Sequence, residues 1–226
     1  MLEAFLVTQK LLAVVLVGYL LGAVPFAHLA GRLRGVDMFQ TGSTRAGAAN
    51  LFWNVGRRIG LVVLFADAAK GSLAIIIAGL MGISGPLLLL AGGAAVLGHW
   101  KSVFTGFRGG DGMAVLIGVS LTMTPLLAFT SGMVGLVFAF IAIKSAFRSA
   151  FGMAVSFTVM LGLSQFVEYF QGEQEKVLAL SILAVLIMAH NILIHWRHAG
   201  LVAGNDLGLD LELDLDLDDE EKDGPS

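Results

Sequence analysis

Three features of the chain predict an all-α integral membrane protein: a bundle of seven transmembrane segments with glycine-rich cytoplasmic loops, N-terminus outside and C-terminus inside. Of its 226 residues, 57% are hydrophobic and only 14% charged, against about a quarter charged in a soluble domain. The apolar residues gather in runs long enough to cross a bilayer, which takes about 20 residues rising about 1.5 Å each. The Lys and Arg residues cluster at alternate connections, and basic residues near span ends stay in the cytoplasm.

The first span is expected over Leu11–Leu33, broken by Pro25 near its end. It runs into a polar stretch without a small-residue cleavage pattern, so it reads as a retained span and not a removed signal peptide. Ile59–Leu80 is the second span. Pro86 to about Phe104 is the third, Pro86 suiting a first helical turn. Met113–Thr124 and Leu126–Ile143 are short apolar runs separated at Pro125. Ala150 to about Val167 and Val177 to about Trp196 complete the set.

Arg32, Arg34, Arg45, Arg57 and Arg58 lie between spans one and two, Lys101 and Arg108 after span three, Lys144 and Arg148 at the next basic turn, and Arg197 after the last span. Placing all four groups on one side requires an even number of crossings between Arg108 and Lys144. Two short crossings or a re-entrant pair turning at Thr124-Pro125 satisfy this; a single kinked helix over 113–143 does not.

Ten of the 17 acids lie at or beyond Asp206. The membrane part, residues 1–204, is therefore basic, and residues 205–226 form a separate acidic segment. Its Leu/acid alternation has a strand period, but mutually repelling carboxylates predict a disordered cytoplasmic tail. The chain has no cysteine, which excludes disulfides and thiolate chemistry. No acid/His grouping has metal-ligand spacing, so neither a metal nor a cofactor is expected, nor a nucleic-acid partner.

Polar chemistry concentrates in two stretches. Gly98–Ala114 reads GHWKSVFTGFRGGDGMA and Thr41–Asn50 reads TGSTRAGAAN. Glycines let backbone N–H groups approach a ligand closely, hydroxyls and amides add donors, and Arg supplies charge, a combination suited to phosphate. An ordinary small-residue turn would have the same composition. Two such loops on one side favour a site for a phosphorylated substrate. Asp67 and Lys70, three apart inside the second span, share a helix face and are read as a structural pair. His99 and His190 sit near span ends and either could carry a proton; His195 and His198 flank Arg197 and are expected to contact headgroups.

These runs resemble the PlsY family, the bacterial acyl-phosphate:glycerol-3-phosphate acyltransferases. The similarity is carried in order by YLLGAVPFAHLAGRLRGVDMFQTGS (Tyr19–Ser43), GAAN, GRRIGLVVLFADAAKG, GHWKSVFTGFRGGDGMA and a weaker region at His190. The resemblance implies seven membrane segments and transfer of an acyl group from acyl phosphate to glycerol 3-phosphate, giving lysophosphatidate and phosphate. It implies a multi-pass protein of the bacterial inner membrane, with membrane lipids around it and no cofactor. Matched to the family's loops, Gly42, Arg45, Gly47, Asn50, His99, Arg108, Gly109, Gly110 and Gly112 become candidate substrate-binding residues. Ser43 and His190 become candidate catalytic residues. Asp67, Lys70 and Gly71 fit the family's DxxKG helix.

The sequence also departs from the family pattern. Arg45 stands where Asn is expected, Ala49 for Thr, Trp53 for Arg, Asp111 for the Lys of GGKG, and Ala23 for a common Ser. In the last motif the Asn position is Leu193 unless the register slips to Asn191, and the family's Ser motif falls loosely near Ser149. Asp111 is expected to repel phosphate, and Arg45 to compensate from the other loop. Alternatives to the acyltransferase are a catalytically impaired relative binding a lipid or partner, or an enzyme with a changed acceptor.

Overall fold

The computed structural model describes residues 1–142 and 148–206. Lys144 and the tail 207–226 lie outside the described residues, as do the side chains of Arg148, Arg197 and His198. The chain divides into two compact units, Met1–Met188 and Ala189–Ser226.

The first unit is helical. In order it has α1 (Leu2–Ala23), α2 (Phe26–Arg32), α3 (Ala48–Asn54), α4 (Arg57–Leu80), α5 (Leu89–Trp100), α6 (Met113–Met123), α7 (Pro125–Ile141), α8 (Arg148–Phe166) and the start of α9 (Gln174–Asp206). Short 3-10 turns precede α5 at Gly85–Leu88 and follow it at Val103–Thr105. The second unit, over its described backbone, is the remainder of α9. Among the described residues, five stretches are long and apolar enough to cross a membrane: Phe5–Arg32, Arg57–Leu80, Gly85–Thr105, Ser149–Phe166 and Glu168–Trp196. The two apolar helices between them, α6 and α7, have 11 and 17 residues and are shorter. At about 1.5 Å per residue α6 covers about 16 Å, half a bilayer core.

The expected break between these two helices at Thr124-Pro125 is present. The first span starts earlier than expected, and its expected break at Pro25 is present. Its helix begins at Leu2 because charged residues that disqualify a lipid-facing span do not stop a helix. It breaks at Val24-Pro25 because Pro has no N–H to continue the ladder and its ring clashes with the preceding turn.

Close approach of helices explains several glycines. A Cβ on Gly22 would overlap the Ala95 carbonyl, and one on Gly98 the Tyr19 carbonyl, so α1 and α5 touch backbone to backbone. Gly71 and Gly118 play the same part between α4 and α6. Small residues at such crossings are how helices pack where lipid removes the hydrophobic drive. The main core joins Val14, Ile75, Ala95, Val115, Val119, Leu127, Met160 and Leu180; a second cluster of Ala27, Met38, Leu51 and Val63 lies beside the first polar loop. Phe65, Leu80, Phe129 and Phe140 point outward, the apolar exterior that a bilayer covers.

Candidate functional site

The proline break leaves carbonyls without helical partners, and these carbonyls build the floor of the site. Phe26 N donates to Val24 O, not to Gly22 O. Lys70 Nζ, reaching across from α4, donates to Gly22 O at 3.0 Å and Val24 O at 2.8 Å. Ser102 Oγ donates to Ala23 O. The same Lys70 Nζ lies 2.8 Å from Asp67 Oδ1 and 3.1 Å from His99 Nδ1. The expected Asp67–Lys70 pairing is therefore present, both side chains being buried, and His99 joins it. That third member was missed, as was Ser102.

Above this floor the two polar loops meet. Asn50, buried at the start of α3, organises the first loop. Its Nδ2 donates to Thr41 O and Arg45 O, both at 2.8 Å, and its Oδ1 accepts from Asn54 Nδ2 at 2.8 Å and from Ser43 N at 3.4 Å. Gly42 and Thr44 take the left-handed conformation, at φ 58° and 56°. At Gly42 a side chain would also strike the Asn50 and Asn54 amides. The Asn50 amide is thus spent on shaping the loop. Ser43 itself is exposed.

The second loop folds back on the end of α5. Gly110 N donates to His99 O at 3.0 Å, and Trp100 Nε1 to Asp111 O at 3.0 Å. A Cβ on Gly109 would overlap the His99 carbonyl, one on Gly110 the His99 ring, and Gly112 turns the chain into α6 at φ 80°. One backbone bond ties the loops together, Ala46 N to Gly109 O at 3.1 Å.

The charges at this junction are paired differently from the expectation. Asp111 Oδ1 accepts from Met113 N at 3.2 Å, at the start of α6, where a carboxylate is stabilised by the helix dipole. Gly47 sits beside the same carboxylate. Burial pushes the Arg45 pKa down, and Asp111 pulls it back up, so Asp111 acts as counter-charge to Arg45. Its negative charge is engaged by a helix end and a guanidinium. Arg108 stacks on Phe39, with Cζ 4.1 Å from the ring centre. It borders both a small inner cavity next to His99 and an open cleft of about 550 Å³, whose wall includes His28, Arg32, Asp37 and Phe39. Sequence reasoning missed this cleft. Trp53, in the place of an expected Arg, is half exposed and packs edge-on against Phe52 at 4.9 Å.

Ser43, Gly42, Arg45, Gly47, Asn50, His99, Arg108, Gly109, Gly110 and Gly112 are thus all in the first unit, in the two joined loops and at the end of α5. His190 belongs to the second unit, on α9.

Comparison with known proteins identifies the family. The family model for glycerol-3-phosphate acyltransferase matches residues 12–203. A glycerol-3-phosphate acyltransferase of Trichlorobacter lovleyi is 34% identical over 191 residues, covering 83% of this chain and 92% of its own. That of Parasynechococcus marenigrum is 36% identical over 197 residues, covering 84% and 85%. Crystal structures of PlsY, an integral membrane glycerol 3-phosphate acyltransferase, superimpose on the fold in two forms. The glycerol 3-phosphate form does so with a TM-score of 0.64 and the lysophosphatidic acid form with 0.63, each at 30% identity over 88% of this chain and 93% of theirs. The family model spans most of the chain, and the relatives and the solved fold are matched over most of their length, so the chain belongs to the glycerol-3-phosphate acyltransferase family of integral membrane proteins.

Proposed function

We propose that this protein transfers an acyl group from acyl phosphate to a hydroxyl of glycerol 3-phosphate, giving lysophosphatidate and phosphate for phospholipid synthesis. The observation that carries the reading is the Ala46–Gly109 backbone bond: one ligand can touch both glycine loops. The open cleft gives a polar substrate access to Arg108, and the greasy helices beside the loops accommodate an acyl chain. The hydroxyl oxygen bonds to the acyl carbon as the bond from that carbon to the phosphate oxygen breaks, and the hydroxyl proton leaves with the phosphate. Backbone N–H groups of Gly109 and Gly112, with Arg45 and Arg108, stabilise charge that builds on the oxygens, while Gly110 N–H is held by the His99 carbonyl. Gly42, Gly47 and Asn50 hold the first loop in shape around the substrate. Ser43 and His190 are assigned to the chemistry by the family resemblance. Purified protein given acyl phosphate and glycerol 3-phosphate should release phosphate only when both are present; no release removes the proposal.

The topology proposed with it has seven segments, N-terminus outside, C-terminus inside, and both loops cytoplasmic in the bacterial inner membrane. Because the chain has no cysteine, single cysteines at Thr44 and Gly106 report sidedness directly. Both should react with an impermeant thiol reagent only from the cytoplasmic face, and labelling of either from outside refutes the arrangement.

Asp111 and Trp53 favour a second reading, a catalytically impaired relative that binds a lipid or a partner protein. If the parent releases no phosphate and Asp111→Lys does, the second reading holds.

A further inference from the structure

His99 is 5% exposed and presents its two ring nitrogens to two different surroundings. Nδ1 lies 3.1 Å from Lys70 Nζ. That ammonium already has Asp67 Oδ1 at 2.8 Å, Val24 O at 2.8 Å and Gly22 O at 3.0 Å. An ammonium carries three hydrogens and no lone pair, so it donates and never accepts. A hydrogen on Nδ1 would point straight at it. Asp67 offers Nδ1 no alternative, since its nearest oxygen is 3.9 Å away. The ring hydrogen therefore belongs on Nε2.

The Nε2–Cε1 edge faces Gly110. The ring lines the inner cavity with Ala46, Ser102, Arg108 and Gly109. Nε2 has no hydrogen-bond partner among the described residues. The cavity measures about 10 Å³, the space of one water-sized group. A ring hydrogen, an arginine nearby and room for one oxygen suit a group that develops charge on a single oxygen during reaction.

We propose that His99 donates its Nε2–H to one oxygen of the bound acyl phosphate, and that Asp67 and Lys70 are positioning residues that fix this tautomer. The proposal rests on the acyltransferase reading and adds the atom and the direction of the bond. It makes His99 a donor and not a proton acceptor, since the lone pair on Nδ1 is turned into the protein against Lys70. It also explains why two charged residues sit inside a span: they set the face that His99 shows to the loops.

The test uses the full chain in lipid nanodiscs with ¹⁵N-labelled histidine. The His99 ring signal is identified by its loss in His99→Gln. Wild-type protein should show the Nε2–H tautomer, with that resonance moving when acyl phosphate is added, and Lys70→Met should release an Nδ1–H population. In turnover, His99→Gln places an amide N–H near the Nε2 position and should retain most of the rate. His99→Asn and His99→Ala should lose about 10²–10³-fold in kcat, the usual effect of removing one such donor. An Nδ1–H tautomer in the wild type overturns the proposal, as does a His99→Gln enzyme no better than His99→Ala. If the wild type turns nothing over, the acyltransferase reading fails separately. The proposal is then decided by the wild-type resonance, which sinks it by failing to move with acyl phosphate.

Discussion

Removing Asp67 tests whether the buried cluster is held as a unit. In Asp67→Ala the Lys70 ammonium keeps its two carbonyl acceptors, at 3.0 and 2.8 Å, but loses its carboxylate partner, at 2.8 Å. Breaking a buried pair from one side costs about 3–5 kcal/mol. The retained carbonyls place this variant near the lower end, about 3 kcal/mol, which is about 150-fold in the folded-to-unfolded ratio. Lys70→Met is worse placed, because it strands a buried carboxylate and also orphans Gly22 O. The double variant Asp67→Ala/Lys70→Met removes both charges and leaves the orphaned carbonyl, a cost of about 1–3 kcal/mol. The double variant should therefore be more stable than Lys70→Met alone. Denaturant titration of the purified proteins in one detergent, analysed as a double-mutant cycle, reads this directly. Simple addition of the two single effects would refute the reasoning.

Three further outcomes follow from the loops. Asn50→Ala removes the amide that holds Thr41, Arg45 and Asn54; phosphate release should fall and proteolysis between Gly42 and Gly47 should quicken, and an unchanged digestion pattern would contradict the organising role. Arg45→Ala should raise the KM for glycerol 3-phosphate by about 10- to 150-fold, the equivalent of a charged hydrogen bond of about 1.5–3 kcal/mol; an unchanged KM dismisses Arg45 from the substrate site. Gly109→Ala forces a methyl into the His99 and Trp100 carbonyls and should abolish turnover while circular dichroism keeps its helical signal, so a fully active variant would show that the second loop need not lie where it does.

The sequence revealed the helices, the two loops and the Asp67–Lys70 pair, because each depends on composition or short spacing. Three residues on one helix must share a face whatever surrounds them. Whether His99, 29 positions further on, meets that face depends on how α4 and α5 are rotated, and an apolar helix with small residues all round leaves the rotation open. The Ala46–Gly109 contact was equally hidden, since every residue there has an N–H and a C=O and none advertises which will meet. Asp111 illustrates a different limit. Read along the chain it is an acid beside a phosphate loop; in the fold it faces Met113 N and Arg45, a partner 66 positions earlier. The Val24-Pro25 break was visible in the proline, but not the use made of it, because the freed carbonyls find their donors on α4 and beyond α5.

The hydrogen bond that joins the two loops is made of main chain alone. No substitution of a side chain can delete the N–H of Ala46 or the C=O of Gly109, short of proline at 46. Charged side chains on either rim, such as Arg45 and Asp111, can therefore be exchanged without deleting this bond. Recognition at this mouth rests on side chains, while its fastening rests on the backbone.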